Sequence, residues 1–339
     1  MMRIRSQHPL VVMAALLTVF AGAALFAAGF SAAAWAQDPA AGYPSKPIRL
    51  YGQGTGSTAD YLSRYLSQKL QERWGQPVVV DSRAGAGGTI PTDAVAKAPP
   101  DGYTMVMGHA GPFVSAVTLY AKTLPYDPLK DFEPITMVAT GVTVLVVNPN
   151  VPVHTAKEFI AYARDKGNLS YASAGNGSIS HLTGELLKQV TGVPLQHIPY
   201  RSAGNALTAL LSGEVPVSFL SPLTAHSQLK AGKVRALAVS SAERFPGAPD
   251  IPSAVEAGIP GMQAKLWFGL FTTGKTPRPI VMKLNKEVGD ILRSPQTQET
   301  FLKQGVQAAP SSPEELADWV RSELARWTPI IRGSGIKAD

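Results

Sequence analysis

No cysteine occurs anywhere in the chain. Disulfides, a thiol nucleophile, cysteine-held zinc and lipid attachment to cysteine are thereby excluded. Charge is sparse too: Asp, Glu, Lys and Arg make up 16% of the residues. The Lys and Arg residues form no stripe, which argues against a nucleic-acid partner. Of the six histidines, only His181, one helical turn from Glu185, approaches metal-ligand spacing. No metal and no cofactor are expected. There is no Gly-x-Ser-x-Gly elbow, and the glycine-rich turn Gly52 to Asp60 has its third glycine misplaced for a dinucleotide fingerprint and lacks the Gly-Lys-Ser/Thr of a P-loop. Carboxylate pairs for glycoside hydrolysis leave no spacing signature. No short repeat or low-complexity tract occurs. The expectation is a protein without catalytic activity.

What is present is an ordinary folding composition, 45% hydrophobic over 339 residues, long enough for two domains. Arg3 and Arg5 precede an apolar run from Leu10 to Phe30, and Ala34-Trp35-Ala36 offers a small-x-small cleavage site before Gln37. Residues 1–36 therefore read as a secretory signal peptide, and the Ala-x-Ala site favours this over an uncleaved membrane anchor. Removing Arg3 and Arg5 takes the formal charge from +7 to +5, a mild positive field that helps attract an anion. No other stretch is apolar for long enough to span a bilayer. A periplasmic monomer is expected.

From Lys46 onward, β-rich runs alternate with amphipathic ones. Strands are predicted at Ile48–Tyr51, Val78–Val80, Tyr103–Met107, Ile135–Ala139 and Val142–Val147. Helix Tyr61–Trp74, with Gly75 as its stop, and a short helix ending at Ala98 are interleaved. After the loop Leu124–Glu133 the rhythm restarts: helix Ala156–Asp165, strand Leu169–Ala172, helix Ile179–Val190, strand Leu195–Pro199, helix Ala203–Leu211. Strand Val215–Phe219, a helix near Leu223–Leu229 and strand Arg235–Val239 follow. Strand Lys265–Thr272 precedes helices Pro277–Leu292, Gln296–Gln304 and Pro313–Ile331. This alternation predicts an α/β fold of two lobes, each a mostly parallel sheet flanked by helices. The final helices have too few strands for their own sheet, so lobe 1 is discontinuous: residues 43–141 plus 262–339, with lobe 2 at 142–261.

Two strand–turn–helix loops carry the chemistry. Ser173-Ala174-Gly175-Asn176-Gly177-Ser178 opens the helix at Ile179, and Thr55, Gly56, Ser57 and Thr58 open the helix that follows Asp60. Helix starts leave amides without intrahelical partners and favour anions. One Ser or Asn is an ordinary cap; a cluster with Gly175 and Gly177, where backbone can approach closely, points to a ligand. Asp60 reads as a cap or turn residue, because its charge opposes an anion. Ligands of open α/β sheets bind outside the carboxyl ends of strands. That rule adds His109 and Ala110, Arg201 and Ser202, and the Phe219–Pro222 loop. Arg201 suits either a bidentate carboxylate contact or a solvated surface position. Trp267 and Phe268 stand either at the cleft or in the core, and His181 reads as a packing or surface residue.

At these loops the chain also resembles the Bug (TctC-like) family, periplasmic solute receptors of tripartite tricarboxylate transport systems. The resemblance rests on Lys46-Pro47-Ile48-Arg49, Gly75-Gln76-Pro77-Val78-Val79-Val80 and Ala96-Lys97-Ala98-Pro99-Pro100-Asp101-Gly102-Tyr103-Thr104. Leu124-Pro125-Tyr126-Asp127-Pro128, Tyr171 to Ser178, Ala231 to Val239 and Trp267-Phe268-Gly269-Leu270 add to it. It implies a two-lobed periplasmic-binding-protein architecture of type II (a Venus flytrap), a small organic acid held by backbone amides between the lobes, and permease subunits as partners. The family's pocket loops correspond to Gly54–Asp60, Gly108–Gly111, Ser173–Ser178 and Tyr200–Gly204. Two departures stand out. The first loop lacks the family's Pro-Phe or Pro-Tyr, and Leu220 stands where an Asp is common, which disfavours a ligand bearing an ammonium group. The expected role is capture of a small carboxylate for a tripartite transporter; a sensor that presents its bound form to a signalling partner and a periplasmic hydrolase are the alternatives.

Overall fold

The computed structural model describes residues 38–83, 85–334 and 336, so the signal-peptide expectation lies outside the described residues. No helix among them is long and apolar enough to cross a membrane.

The first part of the chain runs β1 (Ile48–Gln53), α1 (Thr58–Trp74), β2 (Val78–Arg83), a glycine turn at Ala86–Gly88, α2 (Thr89–Ala96) and β3 (Thr104–Gly108). Gly75 ends α1 in the left-handed conformation (φ 64°), returning its N–H to Gln71 C=O, as a C-terminal glycine does. A π-turn, Gly111–Ser115, leads into the short helix α3 (Ala116–Leu119), and β4 (Phe132–Val142) and β5 (Val144–Val147) follow. Then come α4 (Ala156–Lys166), β6 (Leu169–Ser173), α5 (Ile179–Thr191), β7 (Leu195–Pro199), α6 (Ala203–Ser212), β8 (Val217–Leu220), α7 (Pro222–Lys230) and β9 (Arg235–Val239). The chain closes with β10 (Lys265–Thr273), α8 (Arg278–Arg293), α9 (Pro295–Lys303), β11 (Gln307–Ala308) and α10 (Pro313–Gly333).

Two sheets result. One has six strands in the order β11-β4-β10-β3-β1-β2, the other five in the order β7-β6-β8-β5-β9. Both are mixed rather than mostly parallel. β1 pairs in parallel with β2 and β3, whereas β10 runs antiparallel to β3 and β4. The reason is connectivity. β4 carries the chain out of the first sheet and β10 brings it back, so the two meet head to tail. β5 likewise enters the second sheet antiparallel to β8 and β9.

Period-2 alternation divides the five-stranded sheet into two cores. Leu145, Val147, Tyr171, Val217 and Phe219 pack on one face, and Val144, Val146, Ala172, Leu220 and Val239 on the other. Fully burying such side chains stabilises by about 1.5–3 kcal/mol each. In α8 the buried Ile280, Val281, Leu284, Val288, Ile291 and Leu292 recur at helical spacing and turn one stripe inward.

The chain passes between the sheets at Thr143 and at Ala264, and Ser240 joins the two passages. Its hydroxyl accepts the Thr143 N–H at 2.9 Å and donates to Ala264 C=O at 2.7 Å. Its own N–H donates to Thr143 C=O at 2.8 Å, and its carbonyl accepts the Ala264 N–H at 3.0 Å.

Candidate functional site

Four helices begin around one cavity, each capped by a serine. Ser57 opens α1, Ser178 α5, Ser202 α6 and Ser221 α7, and each hydroxyl accepts the amide three residues on. Ser and short polar residues dominate this position because the side-chain oxygen satisfies one of the orphan amides. The cavity has a volume of about 100 Å³ and is lined from both sheets. The first-sheet side supplies Gln53–Gly54, Ser57–Ala59, Arg83 at the end of β2, Gly85, Gly87, Gly88, His109, Leu266 and Phe268. The second supplies Ala174, Ser178–Ser180, Arg201–Ala203, Phe219–Ser221 and Thr224. Thr58 Oγ1 lies 2.7 Å from Ser221 Oγ, a direct contact between the starts of α1 and α7.

The hydroxyls around the cavity are occupied. Ser57 donates to Gln53 C=O while capping the Asp60 amide. Ser178 donates to Gly175 C=O at 2.7 Å while capping His181, and Ser202 donates to Asn205 Oδ1 at 2.7 Å. Capping accounts for one amide per helix, so the first-turn amides of Thr58 and Ala59, Ile179 and Ser180, and Ala203 and Gly204 remain for another acceptor. Each helix start adds about half a positive charge. No Asp or Glu lines the cavity, and Arg83 and Arg201 do. Arg83 is held by Asp81 at 2.8 Å and lies over the Tyr51 ring, whereas Arg201 is exposed. The whole arrangement suits an anion with an apolar body, since Ile179, Phe219, Leu220, Leu266 and Phe268 make up much of the wall.

Of the residues expected from sequence, Ser57, Thr58, His109, Ser178, Arg201 and Ser202 line this cavity. Thr55, Gly56, Ala110, Ser173, Asn176 and Gly177 do not. Gly56 turns its amide to the Asp60 carboxylate at 3.3 Å, and Ser173 is fully buried, its hydroxyl against His197 Nε2 at 2.6 Å. The Gly177 amide donates to His181 Nδ1 at 3.2 Å. Thr55 and Asn176 face the opposite lobe instead: a Cβ on Gly204 would stand 3.4 Å from Thr55 O, and one on Gly87 only 2.8 Å from Asn176 O. Asp60 is buried and receives Arg64 Nε at 3.1 Å together with the Ser82 hydroxyl, a structural role. Trp267 is in the core, donating to Glu323 Oε2 at 3.2 Å.

Sequence reasoning missed the Gly85–Gly88 loop. Gly85, Gly87 and Gly88 all have positive φ (129°, 60° and 99°), and bare backbone there meets the second lobe closely. A run of small residues directly after strand β2 was the available signal.

Beneath the Ser173–Ser178 loop lies a buried polar cluster. The His181 and His197 rings stack at 3.5 Å between centroids. Glu185 accepts from Tyr171 Oη at 2.8 Å and from Lys188 Nζ at 2.9 Å. Burial, with His197 and Lys188 adding to it, pushes the His181 imidazole down to about 3; burial and Lys188 push His197 down to about 4. His109, at the cavity, is lowered by burial to about 4. All three are neutral near pH 7. No cluster of three or more metal-ligating side chains occurs among the described residues.

Comparison with known proteins follows this geometry. Residues 62–336 match the model of a family described as tripartite tricarboxylate transporter family receptor. Protein BugT of Bordetella pertussis is 33% identical over 87% of this chain and 91% of its own length. Among solved structures, Rpa4515 of R. palustris with adipate is 33% identical with a TM-score of 0.84, covering 87% of this chain and 99% of that one. MatC from Rhodopseudomonas palustris with bound malate is 33% identical with a TM-score of 0.80, covering 85% and 100%.

Proposed function

The chain belongs to the tripartite tricarboxylate transporter receptor family, the Bug (TctC-like) solute-binding proteins, with their two-lobed α/β fold, and from that premise we propose that it captures a small carboxylate in the inter-lobe cavity and delivers it to a membrane transporter. It is a receptor and not an enzyme. The observation that carries the ligand class is the convergence of serine-capped helix starts on a cavity with two arginines and no carboxylate side chain. A carboxylate there replaces water with fixed amides and partial positive charge. An ammonium group would find no counter-ion, so a plain organic acid is favoured over an amino acid.

Size narrows the choice. A cavity of about 100 Å³ suits a small solute. Adipate and malate, the solutes of the two R. palustris relatives, are small carboxylates of this kind. The contacts across Thr58–Ser221 and Gly87–Asn176 join lobe 1 (43–141 plus 262–339) to lobe 2 (142–261). In this reading the lobes hinge at Thr143 and Ala264, and ligand stabilises the closed arrangement because its contacts exist only there. The setting is periplasmic, the partner is the permease of a tripartite system, and the receptor acts as a monomer.

A thermal-shift screen of the chain lacking residues 1–36 against four- to six-carbon acids tests this. A bound acid at about 100 times its Kd adds about 2.7 kcal/mol, and product analysis must find the acid unchanged. Shifts by amino acids but by no simple acid would refute the proposal.

A further inference from the structure

The first-lobe floor of the cavity holds a side-chain pair that the helix-start amides do not explain. Parallel pairing of β1 with β3 brings Gln53, the last residue of β1, beside His109. The imidazole Nδ1 accepts the Gly111 amide at 3.1 Å, so the ring proton sits on Nε2 and is donated to Gln53 Oε1 at 2.8 Å. That fixes the amide's orientation. Its nitrogen faces the other way and donates one N–H to Met107 C=O at 3.3 Å. A side-chain amide has two N–H groups, and the second finds no acceptor among the described residues. Gln53 is 8% exposed, and what it exposes is cavity wall. Gly88 makes this placement possible: a Cβ there would stand 2.0 Å from Gln53 Oε1 and 2.8 Å from Nε2.

We infer that Gln53 is a specificity-determining residue, selecting a solute that carries, besides its carboxylate, an uncharged oxygen acceptor (a keto or hydroxyl group) seated against the Gln53 amide. This rests on the carboxylate reading above. A buried N–H left without an acceptor is costly, so an acid that supplies an oxygen gains over one that ends in hydrocarbon. The floor carries no free charge: His109 donates as an uncharged imidazole, and Arg83, whose backbone lies in register with Gln53 on the neighbouring strand, is already paired with Asp81 at 2.8 Å. A second carboxylate there would lose its hydration for a single neutral hydrogen bond, an unfavourable exchange. The one arginine at the cavity without an ion pair, Arg201, comes from the β7–α6 loop on the opposite lobe.

The test is isothermal titration of the chain lacking residues 1–36 with matched pairs of acids. The pairs are butanoate and 3-hydroxybutanoate, pentanoate and 4-oxopentanoate, and hexanoate and 5-oxohexanoate, with glutarate and adipate alongside. At least one oxygenated acid is expected to bind tenfold or more tightly than its parent and more tightly than either dicarboxylate. Gln53→Met, close in size, should bring that ratio to within threefold, chiefly by weakening the oxygenated acid. Gln53→Glu, which offers His109 an acceptor but the cavity no donor, should also bring the ratio to within threefold while its charge weakens both acids of a pair, and stands in if the methionine variant fails to fold. Equal affinity within every pair, tighter binding of a dicarboxylate, or a preference that survives both substitutions overturns the inference. Parent acids that bind without preference would leave the carboxylate reading standing, whereas no binding by any acid would overturn both.

Discussion

Acid should weaken this fold through two stacked imidazoles. His181 and His197 are held near 3 and 4 in the native protein, against about 6.5 in an unfolded chain. Between those values the unfolded chain binds a proton at each ring and the native protein does not. Stability is therefore fully present above about pH 6.5 and is lost as pH falls toward the native values. The slope is about 1.4 kcal/mol per pH unit for each ring, so going from pH 7 to pH 5 removes about 2 kcal/mol per histidine and about 4 kcal/mol for the pair. Urea denaturation at the two pH values measures the loss. Glu323, whose carboxyl burial raises, titrates in the opposite sense, and comparison with a variant removes its contribution. His197→Gln retains a partner for the Ser173 hydroxyl but has no imidazole to protonate. It should be less stable than wild type at pH 7, yet its loss on going to pH 5 should shrink by about 2 kcal/mol. An unchanged loss in His197→Gln would refute the assignment of these rings as buried and neutral.

Two further substitutions probe close contacts. Gly87→Ala places a Cβ 2.8 Å from Asn176 O across the lobes, at φ 60°; calorimetry should find the affinity for a binding acid reduced tenfold or more, the unliganded melt should also fall because alanine is strained at positive φ, and unchanged affinity would count against that contact. Gly184→Ala drives a Cβ to 2.3 Å from the Tyr171 ring inside the second lobe, and overpacking of this kind costs about 1–3 kcal/mol, readable as a lower denaturant midpoint.

The alternation of strand and helix was legible because each element repeats its own period. The strands Leu195–Pro199 and Arg235–Val239 stand where the pattern places them, as do the helix starts after Ser178 and Ser202, whereas the first helix begins at Thr58 under a Ser57 cap and not at Tyr61 after Asp60. Strand direction was not legible. The apolar run Val144–Val147 marks a strand buried on both faces but does not say that β5 runs against β8, since that depends on how β4 and β10 carry the chain between sheets. The π-turn at Gly111–Ser115 and the two-residue strand Gln307–Ala308 are too short to show a period. At the site, composition marked the loops but not the fate of each proton. Whether the Ser178 hydroxyl faces a ligand or Gly175 C=O is decided by local geometry that residue type does not encode. Gln53 matters only because β3 sets His109 beside it, a neighbour 56 positions along the chain.

Ser240 gives the two connecting strands a shared fate. Because one hydroxyl and one peptide unit tie Thr143 to Ala264, neither strand can bend without drawing the other along. Such a yoked pair behaves as a ribbon with a single soft axis, resisting twist and sideways slip. Rotation of one half of the molecule would then return the four serine-capped helix starts to the same register on every stroke, and a solute would meet the same ring of amides each time.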